Sequence, residues 1–226
     1  MSILISGDTH GDAGYIKRLC IHANENNIKD IIVCGDFGYW PRLPDSDIFF
    51  KKLNAFLLHH DLSLYFVDGN HEDFEDLYKL PLDVVSEIPQ SRNCYYIPRA
   101  VTIEIDGRKI MGFGGGVSID KDRRINRQSW FSEETIKPEE IGRIKDKDVD
   151  ILITHDAPMN LARGFKNDPE SQMNRDMIKQ IIGIVNPKIL CHGHYHIHQE
   201  YEFLETKCYG LDCNLTFDID ESTVIL

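Results

Sequence analysis

Five short polar motifs in this chain contain residue types that bind divalent metals. They are Asp8-Thr9-His10, Gly35-Asp36, Gly69-Asn70-His71, His155-Asp156 and His194-Tyr195-His196. Their carboxylate, amide and imidazole groups supply oxygen and nitrogen donors without thiolates. Such a set suits manganese, iron, zinc or nickel better than a soft metal or an all-oxygen magnesium or calcium cage. A carboxylate such as Asp36 can bridge two ions, and such a pair activates water and clamps a phosphoryl group.

Each motif follows a segment with the apolar pattern of a buried β-strand. The predicted strands are Ser2–Ser6, Asp30–Cys34, Leu62–Val67, Asp150–Thr154 and Lys188–His192. Amphipathic segments between them predict helices over Ala13–Asn26, Asp47–His60 and Met173–Val185. This alternation is typical of an α/β fold, in which ligands bind at the carboxyl ends of strands. Residues two apart on a strand point to the same side, so Asp8 with His10, and His194 with His196, can each offer two donors.

Other segments predict antiparallel strands and two further helices. Val101–Ile105, the turn Asp106-Gly107 and Lys109–Phe113 form a hairpin pattern. The end of the chain reads mostly as β-structure, with strands over Tyr201–Leu204, Leu215–Ile219 and Thr223–Leu226. Short helices are predicted near Phe74–Tyr78 and from Pro138 through Lys145.

Any one of the five motifs has an ordinary structural explanation. An Asp-x-His sequence is often a turn with a surface histidine, and Gly35-Asp36 is compatible with a helix-capping turn. Asn70 suits a tight turn, and His155 suits a hydrogen-bonded core position. Five such motifs, all at predicted strand ends, nevertheless indicate one common site.

Length and charge restrict the classes of protein to consider. The 226 residues, 42% of them hydrophobic, are sufficient for one domain over residues 1–226. The net charge of −12 would repel a polyphosphate backbone, so nucleic acid is an unlikely partner and a small-molecule phosphate ester is favoured. The six cysteines show no CxxC spacing and are expected to be reduced. Without a signal-like start or an apolar run of ~20 residues, we expect a cytoplasmic protein without membrane association. Nothing in the sequence specifies an oligomeric state.

The motifs GDTHG, GDFG, GNHE, THDAP and GHYH together resemble the calcineurin-like metallophosphoesterase superfamily, from about Met1 to His198. The resemblance implies an α/β fold with two mixed β-sheets packed as a sandwich and flanked by helices. It also implies a hydrolase that acts on phosphomonoesters or phosphodiesters with two divalent metal ions, for which manganese is our first choice.

The same resemblance assigns roles to individual residues. Asp8, His10 and His196 would hold the first ion, Asn70, His155 and His194 would hold the second, and Asp36 would bridge them. A metal-bridging hydroxide would attack phosphorus, and His71 would protonate the leaving group. Asn70 and His71 would also contact the substrate.

The resemblance to particular subfamilies is weaker. Protein Ser/Thr phosphatases and diadenosine tetraphosphatases carry an Asp-Arg-Gly continuation where this chain has residues 37–42, which leaves Arg42 as either a substitute phosphate ligand or a surface residue. The glycine-led segment after Phe113 reads either as a flap that presents Arg123 or Arg127 to substrate, or as a structural crossover. A nuclease, a protein Ser/Thr phosphatase and a non-catalytic scaffold on the same fold are the alternative functions.

Three polar residues near the motifs receive no ligand role. His192 is out of register with the last motif and His198 follows it, so both are left out of the ligand set. Asp156 is assigned to the orientation of a ligand histidine.

Overall fold

Twelve strands in two mixed sheets are present in the computed structural model, which describes residues 2–161 and 168–226. In chain order the strands are β1 Ile3–Ser6, β2 Asp30–Val33, β3 Ser63–Phe66, β4 Ser86–Glu87, β5 Cys94–Tyr96, β6 Val101–Ile105, β7 Arg108–Phe113, β8 Ile151–Thr154, β9 Ile189–His192, β10 Gln199–Phe203, β11 Thr206–Gly210 and β12 Thr223–Ile225. The α-helices are α1 Ala13–Glu25, α2 Ser46–His60, α3 Phe74–Leu77, α4 Pro138–Ile141, α5 Pro169–Val185 and α6 Ile219–Ser222.

Each sheet has a parallel centre and antiparallel edges. The first has the order β12-β1-β2-β3-β5-β4 and the second the order β10-β11-β9-β8-β7-β6. In both, the four inner strands run parallel and the two outer strands pair antiparallel to them. The carboxyl ends of the parallel strands in each sheet therefore lie along one edge.

Alternating side chains on the inner strands explain the sandwich. On β1, Ile3 and Ile5 pack between the two sheets, where they join Ile153 of β8. Leu4 points the other way and packs with Leu19 of α1 in the layer that also holds α2. Helix α5 covers the outer face of the second sheet through a cluster that includes Met177, Ile178, Ile181 and Leu190. Strands buried on both faces read as continuous apolar runs, which is why they could be predicted.

Most predicted elements are confirmed, including the hairpin of β6 and β7. Its turn residues Asp106 and Gly107 have φ of 52° and 72°, as a type I′ turn requires. The helix that begins at Pro138 ends at Ile141, before the predicted Lys145. The short strands β4 and β5 were not predicted.

The predicted strand over Leu215–Ile219 is wrong. Leu215 is 77% exposed and Phe217 is fully exposed, so this apolar alternation has no sheet to pack against. Strand β11 joins the sheet instead. The loop after β11 supports the turn after β1, because Asn214 N donates to the Asp8 carbonyl at 2.9 Å.

The state of the cysteines and the character of the helices were also predicted from the sequence. All six cysteines are buried and carry free thiols. Among the helices of the described residues, none combines the length and apolar character that would let it cross a membrane.

Candidate metal centre

The strand ends bring all seven predicted metal ligands to one place. Each ligand follows the carboxyl end of β1, β2 or β3 in the first sheet, or of β8 or β9 in the second. The seven residues are Asp8, His10, Asp36, Asn70, His155, His194 and His196. The donor atoms fall into two overlapping groups.

The first group is made by Asp8, His10 and His196. His196 Nε2 lies 2.9 Å from Asp8 Oδ2 and 3.2 Å from His10 Nε2. One atom from each of the three residues lies within 4.8 Å of the others. Two ring nitrogens this close to one another and to a carboxylate leave lone pairs that a shared cation would satisfy. This group matches the set predicted for the first ion.

The second group is centred on His155. Its Nε2 lies 3.0 Å from Asn70 Oδ1, 3.2 Å from His194 Nδ1 and 3.5 Å from Asp36 Oδ1. Its Nδ1 donates to the Cys34 carbonyl at 2.8 Å, which turns Nε2 toward the other donors. Asp8 and Asp36 also form a compact donor group with His155. Both carboxylates are therefore placed between the two groups.

The two buried carboxylates of the cluster are stabilised by nearby positive charge. Asp8 and Asp36 are buried, and within the described part of the chain their ion pairs are with histidines. Burial by itself would raise the pKa of Asp36, but His155 and the neighbouring histidines lower it. Burial would likewise lower the pKa of His155, yet Asp36 and Asp8 raise it to about 9. A divalent ion would supply the same charge, so the donor set fits one.

The backbone around the cluster is strained and crowded. His10, Asp36, His194 and His196 have φ of 46°, 47°, 66° and 50°, in the left-handed region that non-glycine residues rarely adopt. These sharp turns direct the side chains back across the strand ends. A Cβ on Gly193 would overlap the carboxylate of Asp8, so only glycine allows the close approach there.

Backbone amides orient the two buried carboxylates. Asp8 Oδ1 accepts from His194 N at 3.0 Å, and Asp36 Oδ1 accepts from His71 N at 2.8 Å. Behind them, Glu72 accepts from Gly69 N at 2.7 Å. Burial, with a contribution from Asp36, raises the pKa of Glu72 to about 8.

The residues left out of the ligand set have other partners. His192 is buried and its Nε2 accepts from the hydroxyl of Tyr201 at 3.0 Å, while burial lowers its pKa to about 4. His198 Nδ1 donates to the Glu221 carbonyl at 2.9 Å. The carboxylate of Asp156 accepts from Asn174 Nδ2 at 2.9 Å.

His71 lies beside the cluster and contacts an arginine that sequence reasoning did not select. Arg124 Nη2 is 2.8 Å from His71 Nε2 and also pairs with Asp120 Oδ1 at 2.8 Å. A guanidinium can only donate, so Nε2 of His71 accepts and its ring proton is on Nδ1. Burial lowers the pKa of His71, and the charge of Arg124 adds to this effect while Asp36 opposes it. Trp40 Nε1 fixes the backbone here by donating to the His71 carbonyl at 2.6 Å.

The other candidate arginines lie away from the donor atoms. Arg123 is exposed, and Arg127 pairs with Glu133 at 3.3 Å. Arg42 pairs with Asp73 and, at 3.2 Å, with Glu75. None of the three lines the cleft described next, whereas Arg124 does. The substrate-binding role of Arg123 and Arg127 stays a prediction.

An open cleft of about 460 Å³ lies over the donor atoms. His10, Asp36 and His71 line it on the metal side, and Val117 and Ile119 contribute apolar surface. This volume is typical of sites for small organic molecules.

Residues 114–134, which we call the crossover segment, form one wall of the cleft. Gly115 N donates to the Asp68 carbonyl at 2.8 Å, and Phe131 is buried against Trp40 and Phe74. The segment is thus packed at both ends, as a structural crossover would be, and it also presents Arg124 to the cleft.

Comparisons with known proteins agree with this architecture. The family described as calcineurin-like phosphoesterase matches residues 1–198. An uncharacterized protein of Haemophilus influenzae is 25% identical, with 86% of this chain and 83% of that protein covered. A solved structure from Thermus thermophilus has a TM-score of 0.59 at 15% identity, covering 94% of this chain and 89% of the other. A dimetal phosphatase from Danio rerio has a TM-score of 0.54 at 9% identity, covering 100% and 91%. At these identities the two structures show a shared fold.

Proposed function

The chain belongs to the calcineurin-like phosphoesterase family, and on that premise we propose that it is a two-metal hydrolase of small phosphate esters. The observation that carries the proposal is the convergence of seven oxygen- and nitrogen-donor residues, two of them buried carboxylates, from the ends of five strands. Residues 1–226 would form one catalytic domain.

We assign the ligands as the two donor groups suggest. Asp8, His10 and His196 would hold one ion, Asn70, His155 and His194 would hold the other, and Asp36 would contact both. Manganese is our first choice, and iron, zinc or nickel suit the same donors. When bound, the ions would lower the pKa of a water molecule and neutralise charge on the phosphoryl oxygens.

Arg124 and His71 would act on the substrate itself. The guanidinium of Arg124 lies in the cleft and can donate two charge-assisted hydrogen bonds to phosphoryl oxygens. Arg124 Nη2 donates to His71 Nε2, and that nitrogen carries no proton while it accepts this bond. If Arg124 turned to the phosphoryl group, His71 Nε2 would be free to take up a proton from solvent and pass it to the leaving oxygen. Substrate binding would thus prepare the general acid.

Charge and cleft shape favour a small substrate over a polymer. The net charge of −12 opposes association with a nucleic acid backbone. Of the arginines in the crossover segment, Arg127 pairs with Glu133 and Arg123 lies outside the cleft, so this segment offers one arginine, Arg124, to a phosphate instead of a basic groove. Val117 and Ile119 offer apolar surface for the organic part of a monoester or diester.

The test is metal content and turnover on the same samples. Chelator-stripped protein reloaded with manganese should bind two ions per chain and hydrolyse nitrophenyl phosphate or its diester. Asp36→Ala should bind weakly at both sites and lose turnover, whereas Asp61→Ala, on the exposed end of α2, should behave as the native protein. Two ions retained by Asp36→Ala would contradict the bridging role. Full occupancy without turnover on any phosphate ester would instead favour a scaffold.

A further inference from the structure

We propose that Ser118 and Glu134 are positioning residues that orient the side-chain amide of Asn70 for metal binding. This inference rests on the proposed function, since it assigns Asn70 Oδ1 to an ion. It adds two residues of the crossover segment that no sequence motif marks.

Three hydrogen bonds connect the residues. Asn70 Nδ2 donates to Ser118 Oγ at 3.1 Å across 48 positions of the chain. Ser118 Oγ donates to Glu134 Oε2 at 2.8 Å, and Ser118 N donates to Glu134 Oε1 at 2.7 Å. All three residues are buried, with exposures of 5%, 2% and 1% for Asn70, Ser118 and Glu134.

The direction of these bonds fixes the amide. A serine hydroxyl has one proton, and here the carboxylate of Glu134 takes it. Ser118 Oγ can therefore only accept from Asn70, which requires the NH₂ group of the amide to face Ser118. The oxygen Oδ1 must then face His155 Nε2, at 3.0 Å, where the second ion would bind. A flipped amide would place oxygen against oxygen at Ser118 and NH₂ toward the ion.

Glu134 is itself held in place. Its carbonyl accepts from Gly116 N at 2.9 Å and from Arg99 Nη2 at 3.1 Å, and Arg99 is buried. Burial raises the pKa of the Glu134 carboxylate to about 7, and the hydrogen bonds from Ser118 oppose that shift because they stabilise the ionised form. The two hydrogen bonds that the Glu134 carboxylate accepts from Ser118 are the bonds that orient Asn70.

The test measures metal affinity of the full chain instead of activity. Manganese is titrated calorimetrically into chelator-stripped protein, and Ser118→Ala should bind one of the two ions about 10–100-fold more weakly, with the other unchanged. Glu134→Gln should weaken binding of the same ion, because Ser118 N and Ser118 Oγ donate to two different oxygens of Glu134 and glutamine has NH₂ in place of one of them. The matched controls are Ser132→Ala and Glu133→Gln, which remove a hydroxyl–carboxylate bond of the same segment that does not lead to Asn70.

Two further measurements separate orientation from general damage. The double variant Ser118→Ala/Glu134→Gln should weaken that ion no more than the stronger single variant, since both act through one chain of bonds. If the alanine variant does not fold, Ser118→Thr and Ser118→Val are compared instead. Threonine and valine have nearly the same shape, but only threonine keeps a hydroxyl, so only the valine variant should lose affinity for the ion. Native affinity for both ions in Ser118→Ala or in Ser118→Val overturns the inference. A native chain that binds no manganese overturns the proposed function instead.

Discussion

Replacement of Arg99 by methionine should destabilise the protein strongly and loosen the wall of the cleft. The guanidinium is 1% exposed and pairs with Asp68 at 2.6 Å and with Glu140 at 2.7 Å. It also donates, at 2.9–3.1 Å, to the carbonyls of Glu133 and Glu134 at the end of the crossover segment and to that of Thr135 directly after it. Methionine can fill much of the space but donates nothing.

The expected loss in the free energy of unfolding follows from the buried partners that Arg99→Met would leave without a donor. Asp68 is fully buried, and within residues 2–161 and 168–226 its carboxylate accepts from the side chains of Arg99 and Tyr96, so that only the Tyr96 hydroxyl, at 2.8 Å, would remain. Removal of one partner from a buried ion pair typically destabilises by about 3–5 kcal/mol. For a chain of 226 residues, at ~2–4 °C per kcal/mol, the melting temperature should fall by about 6–20 °C.

Urea unfolding and thermal melting of metal-free protein measure this effect. The matched control is Arg143→Met, because Arg143 pairs with the same Glu140 at 3.2 Å but is 41% exposed. Solvent screening limits the expected loss there to about 0–1 kcal/mol. If Arg99→Met lost no more stability than Arg143→Met, the argument that burial makes the Arg99 network important would be refuted.

Three further predictions concern the site. His71→Ala should keep both ions and lose about 10²–10⁴ in rate on alkyl phosphates but much less on nitrophenyl esters, whose leaving group needs no proton; equal losses would remove the acid role. Arg124→Gln should raise KM with metal content unchanged, and by more than Arg123→Gln does; a larger rise with Arg123→Gln would make Arg123 the main phosphate contact. Manganese at about 100 times its Kd should stabilise the protein by about 2.7 kcal/mol per site, seen as a higher melting temperature, and Asp36→Ala should show little of this shift.

The sequence alone predicted that the candidate metal ligands lie together, because their positions depend on local patterns. A buried parallel strand is an apolar run, and a polar motif directly after it lies at the carboxyl edge of the sheet. Asp8, Asp36 and His155 could be placed together on that basis, without knowledge of which strands are neighbours.

Only the tertiary structure decided which arginine of the crossover segment lines the cleft. Arg123 and Arg124 are adjacent, and residues 121–123 form a 3₁₀ turn, in which successive side chains differ in direction by about 120°. Both residues are arginines with nearly the same sequence neighbours. No local pattern therefore distinguishes the exposed Arg123 from Arg124, which contacts His71.

The support of Asn70 likewise depends on packing between distant segments. Ser118 is 48 positions from Asn70, and Glu134, which accepts from Ser118, lies at the end of the crossover segment, where Arg99 donates to its carbonyl and Phe131 is buried. The strand predicted over Leu215–Ile219 failed for the same reason, since an alternating pattern forms a strand only where a partner edge is available. Periodicity reports how a segment is buried, whereas the identity of its neighbours is set by long-range contacts that periodicity does not contain.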